Sequence, residues 1–211
     1  MTRELTCMCE NRFSVDLPLD VDLAADPRSE EDILTGCFMS ARCPSCGSMV
    51  RPELPFRVRD ARRGLDIYHV PSLERARYLA GMLEGVPKDV GRVVIGFPEL
   101  QEKLTIANAG LDDRVVEIVK FHLMRRAEQD PLPGELAIRF VAREGGALVF
   151  EVHGLRKGEV GRVHVPQENA ERVAEELPKN MKREPYRSFV QGPYVSCFSV
   201  TAADDDEAET P

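Results

Sequence analysis

Two close pairs of cysteines constrain this chain more than any other feature of its sequence. Cys43-Pro44-Ser45-Cys46-Gly47 is a turn that presents two thiolates to one metal ion. Proline fixes the backbone after the first cysteine, and the glycine past the second can take the positive φ that turns backbone N–H groups toward sulfur. Cys7 and Cys9, in TCMCENRF, supply the other half of a tetrahedral set, with 33 residues between Cys9 and Cys43. Four thiolates leave no position for water or substrate. The predicted site, Cys7, Cys9, Cys43 and Cys46, therefore holds a structural zinc rather than a catalytic one. A single residue between Cys7 and Cys9 makes a narrower turn than the usual two. The alternative is that only one of these two binds and that Cys37, six residues before Cys43, completes the set.

Metal is preferred to disulfides for a reason of context. Nothing near the amino end reads as an export signal, and no apolar run approaches the ~18 residues of a membrane span, so the reading is a cytoplasmic chain in which thiols stay reduced. At 211 residues and 43% hydrophobic composition, it can bury a sizeable core and has room for two domains. The net charge of -8 is concentrated at one end. Five acids lie in the last eight residues, leaving a net -3 for the remainder. Against that background Arg51, Arg57, Arg59, Arg62 and Arg63 fall within 13 residues and are offset only by Glu53 and Asp60. They read first as a charged strand edge and second as a phosphate or acidic-partner contact.

In chain order, residues 3–17 predict a hairpin, with Phe13, Val15 and Leu17 alternating behind the first cysteine turn. Ser29, followed by acids, predicts the cap of a short helix ending at Gly36. Strands are expected over 37–42, over 49–58 with breaks at Pro52 and Pro55, and over 65–70. Residues 71–83 carry Leu73, Ala76, Leu79, Ala80 and Leu83 at helical spacing. A buried strand over 93–95 and a helix opened by Pro98 follow. The longest helix comes after Gly110, with Leu111, Val115, Ile118, Val119, His122 and Leu123 on its apolar face and Asp112-Asp113 at its start. Asp130-Pro131-Leu132-Pro133-Gly134 breaks every pattern and is the expected domain boundary. Beyond it we expect a hairpin around Gly145-Gly146, a strand over 160–165, a helix over 166–177 and further strand between 186 and 200.

Other chemistry is sparse. His69, His122, His153 and His164 show no ligand spacing and read as ring-satisfied residues of strands or helices. Asp112-Asp113 reads as helix capping before it reads as a carboxylate pair, and Cys197 as a buried small residue. No Walker loop, GxGxxG, GxSxG or HExxH is present, so no catalytic residue is assigned.

The near-terminal cysteine pair before a Phe-containing strand, ILTG ahead of CPSCG, LDIYHVPS, and GFPELQEKLTIANAGLDDRVVEIVKFHLM together resemble the CpXC domain family of bacterial and archaeal proteins of unknown function. The resemblance covers roughly residues 4–125. It implies a zinc-ribbon-type module with helical additions in which Cys7, Cys9, Cys43 and Cys46 are the matched positions, and it brings no activity with it.

The fold class expected is α+β: zinc-ribbon-like β hairpins with helices over 1–129, a smaller α+β sheet domain over 134–200, and a disordered acidic tail over 201–211. The first functional reading is a zinc-stabilised module that binds a protein partner, without a membrane role. The second is nucleic-acid binding through residues 51–63, which the chain's acidity and 6% aromatic content disfavour. The third is an enzyme with an interdomain site.

Overall fold

The computed structural model describes residues 1–127 and 136–199. It has both helices and sheets, as an α+β chain should, and falls into two compact units, residues 1–101 and 102–211. The expected linker at 130–134 and the acidic tail at 201–211 lie outside the described residues.

The first unit opens with the predicted hairpin, strands β1 (Thr2–Thr6) and β2 (Arg12–Asp16). They pair in antiparallel register from Thr2 opposite Asp16 to Thr6 opposite Arg12, which leaves the cysteine turn as the hairpin's loop. A second hairpin, β4 (Ala41–Arg42) and β5 (Met49–Val50), carries the other cysteine turn in the same way. The strand expected over 37–42 shrinks to two residues, because Cys37 and Phe38 use their N–H groups to close the preceding helix on Asp32 O. That helix, α1 (Pro27–Thr35), starts earlier than Ser29. Proline at its first turn brings a preset φ and no orphan N–H. Ser29 is buried inside the helix, where its hydroxyl donates to Asp26 Oδ2 at 2.7 Å.

A four-stranded sheet forms the body of this unit, in the order β3 (Asp20–Asp22), β6 (Phe56–Asp60), β7 (Leu65–Val70), β8 (Arg92–Ile95). β6 and β7 are antiparallel, whereas β3 and β8 run parallel to their neighbours. The run expected over 49–58 divides into β5 and β6 at its prolines, which donate no ladder bond. Val93, Val94 and Ile95 are all buried, the continuous apolar pattern of a parallel strand covered on both faces. They join Phe38, Phe56, Val58, Ile67, Val70, Phe97 and Leu100 in the core.

The crossover between β7 and β8 departs from expectation. Instead of a helix over 71–83 there is a 3₁₀ turn (Ser72–Glu74) and one short helix, α2 (Arg75–Leu79), and neither buries a residue. Leu73 is 95% exposed and Met82 63%. The helical spacing is present in the sequence, but within this unit no surface covers it, and an uncovered stripe contributes little to helix stability.

The second unit takes in the later part of α3 (Phe97–Asn108) and all of α4 (Asp113–Ala127). It packs them with a three-stranded antiparallel sheet in the order β11-β10-β9: β9 (Ala137–Glu144), β10 (Ala147–His153) and β11 (Val160–Pro166). Gly145 and Gly146 turn the first hairpin with φ of 56° and 77°, the left-handed pair that a tight two-residue turn demands. Ile138, Phe140, Leu148, Phe150, Val152 and Val165 from the sheet meet Val115, Val116, Ile118 and Val119 of α4 and Ala170, Val173 and Leu177 of α5 (Gln167–Asn180). Where further strand was expected, residues 186–190 form α6 (Tyr186–Val190). Phe189, Val190, Val195 and Cys197 are buried in the core.

The arginines after the second cysteine turn serve the fold. Arg57 makes a two-pronged contact with Asp66 at 2.6 and 2.7 Å, Arg59 pairs with Asp20 at 2.7 Å, and Arg62 and Arg63 both hold Asp60. Arg63 also reaches Glu30 of α1 at 2.8 Å. Asp60 is fully buried. Its hydrogen bonds from Arg62, then from Arg63, outweigh burial and hold its carboxyl down at about 2. A carboxylate depressed in the folded state adds stability above its unfolded pKa that is lost as pH falls through the folded value. We therefore predict that the wild-type chain loses stability between about pH 4 and pH 2 and that Asp60→Asn, less stable at pH 7, shows a shallower loss there. Urea titrations at stepped pH measure both, and parallel curves for the two proteins would contradict the assignment.

Candidate metal centre

Both cysteine pairs sit on hairpin loops and are shaped by the same two backbone hydrogen bonds. In the second loop Cys43 N–H donates to Ser48 O at 2.8 Å and Gly47 N–H donates to Cys43 O at 2.9 Å, with Gly47 at φ 75°. In the first, Cys7 N–H donates to Asn11 O at 3.0 Å and Glu10 N–H donates to Cys7 O at 2.9 Å, with Glu10 at φ 66°. The shorter spacing of Cys7 and Cys9 is thus absorbed by deleting one residue from the loop. Glu10 takes the left-handed position that glycine holds in the other, an uncommon conformation for a residue with a Cβ.

The consequence is convergence. The sulfurs of Cys7, Cys9, Cys43 and Cys46 lie within 4.8 Å of one another. Cys7 meets Cys46 at 3.5 Å and Cys9 meets Cys43 at 3.7 Å. A tetrahedral ion with metal–sulfur bonds of about 2.3 Å has sulfur–sulfur edges of about 3.8 Å, so these side chains fit such an ion with little movement. Cys7 and Cys43 are buried, while Cys9 and Cys46 are exposed. Asn11 Nδ2 donates to Cys43 Sγ at 3.6 Å, one of the outer contacts that orient a ligand sulfur. Cys37 is exposed and stands outside the group.

The four thiols are electrostatically unequal. Hydrogen bonds from Ser48, side chain then backbone, bring Cys46 down to about 6. Cys43 is also lowered, chiefly by the Cys46 N–H. The Cys9 N–H pulls Cys7 down, but burial and the neighbouring thiols together push it up to about 11. The CPSCG turn therefore favours thiolate, and a cation is what allows the remaining sulfurs to lose their protons as well.

The histidines do not join this group. His122, expected on the apolar face of α4, is exposed at the surface, where its Nε2 lies 2.8 Å from the Tyr186 hydroxyl. His69 is wholly buried in β7, its ring between those of Phe56 and Phe97 at 4.6 and 4.8 Å. A carbonyl can only accept, so the 2.9 Å contact to Leu54 O places the proton on Nδ1. Nε2 then faces Glu53 Oε1 at 3.7 Å, an oxygen that already accepts from the Ser72 hydroxyl at 2.8 Å. Burial outweighs the pull of the Leu54 carbonyl and Glu53 and brings His69 down to about 4.

A second group of ionisable side chains lies in the core of the second unit, where periodicity alone did not place it. Lys120 donates to Glu102 at 2.9 Å and to Glu117 at 3.1 Å. Lys103 donates to Val195 O at 2.7 Å and pairs with Asp113 at 3.1 Å. Glu117 also accepts the Cys197 N–H at 3.0 Å, and Glu102 the Phe140 N–H at 2.7 Å. Burial opposes every charge in the group. The ammoniums of Lys120 and Lys103 nonetheless hold Glu117 low, and the carboxylates hold Lys120 high. Asp112, for its part, caps α4 through the Arg114 N–H at 2.9 Å, so the adjacent acids act separately. The signal available in the sequence was a pair of charges, Glu117 and Lys120, set into the apolar run VVEIVK.

Comparison with known proteins adds a family. The sequence profile of the CpXC protein family matches residues 5–120. The chain belongs to the CpXC family. The CpXC match takes in both cysteine loops and ends within α4, at Lys120. An uncharacterised protein of Treponema pallidum (strain Nichols) is 29% identical over 217 aligned residues, covering 93% of this chain and 97% of its own length. No solved structure matches the chain.

Two measurements check these assignments. Glu117→Ala leaves two buried ammoniums without their shared carboxylate and is expected to cost about 3–5 kcal/mol in urea unfolding, whereas Glu175→Ala, on an exposed face, stays within about 0.5 kcal/mol. Equal effects would contradict the buried network. Nitrogen NMR is expected to show His69 neutral and Nδ1-protonated at pH 6, titrating near pH 4. An imidazolium at pH 6 would contradict the tautomer and burial argument.

Proposed function

We propose that this CpXC protein binds one zinc ion through Cys7, Cys9, Cys43 and Cys46, and that the ion is structural. The observation that carries the reading is the convergence of four sulfurs from two hairpin loops far apart in sequence. Zinc supplies the positive charge that lets four thiolates share one place. With four sulfurs in its shell it offers no position to substrate. Its work is to clamp the β1–β2 hairpin to the β4–β5 hairpin, elements of only two to five residues per strand.

On that clamp the chain acts as a module that binds a protein partner. Support for this comes from the apolar side chains left exposed in the first unit, Leu73 and Met82 after β7, Met49 beside the second loop and Met8 at the tip of the first. The second reading, nucleic-acid binding through residues 51–63, loses its main support, since Arg57, Arg59, Arg62 and Arg63 are engaged with carboxylates. Among the described residues no helix is long and apolar enough to cross a membrane.

Elemental analysis of the purified chain is expected to give about one zinc per molecule. A chelator, or Cys46→Ser, should lower zinc content and Tm together, with a loss of folding free energy on the order of 10 kcal/mol, as for structural zinc in small domains. Full thermal stability in the metal-free chain would overturn the clamp.

A further inference from the structure

The four sulfurs are arranged for more than coordination. In each loop the first cysteine is buried and the second exposed. Two thiol contacts run between the loops: exposed Cys46 on buried Cys7 at 3.5 Å, exposed Cys9 on buried Cys43 at 3.7 Å. Each sulfur that an oxidant can reach therefore has, in contact behind it, a sulfur of the other loop that an oxidant cannot easily reach. That is the arrangement of a reactive thiol with its resolving partner.

We propose that the centre is a peroxide-sensitive switch that exchanges its metal for two disulfides, Cys7–Cys46 and Cys9–Cys43. The proposal rests on the metal reading above and deepens it. In the first step the thiolate of Cys46 attacks one oxygen of hydrogen peroxide; the O–O bond breaks, leaving a sulfenic acid on Cys46 and a hydroxide. The thiolate of Cys7 then attacks the Cys46 sulfur, the S–S bond forms and the S–O bond breaks, releasing a second hydroxide. Two thiolates have given two electrons and two protons convert the hydroxides to water. Cys9 and Cys43 consume a second peroxide in the same way. The metal keeps its oxidation state throughout and leaves because its thiolate ligands are gone.

The pairing follows from the loops. A bridge within each loop would require a Cys7–Cys9 bond across one residue, in a turn already closed by the Glu10 N–H on Cys7 O and the Cys7 N–H on Asn11 O. Small rings of that kind strain the disulfide torsion. Bridges between loops leave both turns as they are. They also keep the two hairpins joined after the metal has gone, so oxidation changes the occupancy of the centre without releasing the hairpins it unites. Chelation of the reduced chain, by contrast, removes the metal link and puts no bond in its place.

The test uses the full chain carrying Cys37→Ser, which removes the exposed cysteine outside the group. The zinc-loaded protein is treated with hydrogen peroxide, released metal is read with a chromophoric chelator, and bridges are mapped by mass spectrometry after alkylation. The expected result is release of all bound zinc, a mass lower by four hydrogens, and peptides joined as Cys7–Cys46 and Cys9–Cys43. The oxidised chain should melt above the chelated reduced chain, and dithiothreitol with zinc should restore the starting state. Retained metal under excess peroxide, bridges within a loop, or irreversible sulfonic acids would overturn the proposal. If the purified chain holds no zinc, the metal reading fails separately, and the bridge map of the peroxide-treated chain still decides the pairing.

Discussion

Four sulfur atoms held within 4.8 Å of one another form an arrangement that ordinary packing does not favour. As thiols they offer weak hydrogen bonds, and as thiolates they repel one another through a partly buried medium. The first unit nevertheless brings two hairpin loops, separated by more than thirty residues, to the same place and gives each the backbone turn that aims its sulfurs inward. A cation would make this favourable, and the thiols are unequal: Cys43 and Cys46 of CPSCG are lowered, whereas burial and its neighbours raise Cys7. The hairpins are otherwise short, two to five residues per strand, so their mutual position depends on this contact.

The body of the first unit uses charge in a different manner. Arg57 and Arg59 alternate along β6 and Arg63 follows it, and each is answered by an acid on another element, Asp66 on β7, Asp20 on β3 and Glu30 on α1 respectively. Pairs at the surface contribute little singly. Asp60 differs because it is buried and held by two guanidiniums at once. In the second unit the same logic moves fully inside, where Lys103 donates to the carbonyl of Val195 while Glu117 and Glu102, both held by Lys120, accept the N–H groups of Cys197 and Phe140. Such a group is a poor source of stability compared with apolar side chains of the same volume. It admits few alternative arrangements, because every misplacement leaves a charge unpaired.

Much of this was legible in the sequence where local rules act alone. The CPSCG turn, the alternation of Phe13 and Val15, the paired glycines at 145–146 and the apolar face of α4 each led to the element observed. The four cysteines that converge were legible as a group too, whereas the left-handed conformation of Glu10, which closes the shorter loop, was not. What misled was pattern whose partner lies elsewhere in the chain. Leu73, Leu79 and Leu83 have helical spacing, yet the crossover that carries them buries none of its helical residues. Tyr186 to Val200 reads as strand, but its first five residues fold as helix α6. Glu117 and Lys120 look like exposed polar residues of an amphipathic helix until the acids and bases of α3 and the turn at Cys197 are placed around them. A net positive run at 51–63 looks available for phosphate until its acids, distant in sequence, are brought alongside.

Membership of the CpXC family accounts for residues 5–120 and brings no activity with it, so the centre itself is where the account stands or falls. The most direct measurement is X-ray absorption at the zinc edge of the purified chain. The account predicts a single shell of four sulfurs at about 2.3 Å, the spacing of a closed structural site. A shell containing nitrogen or oxygen, or fewer than four sulfurs, would contradict it.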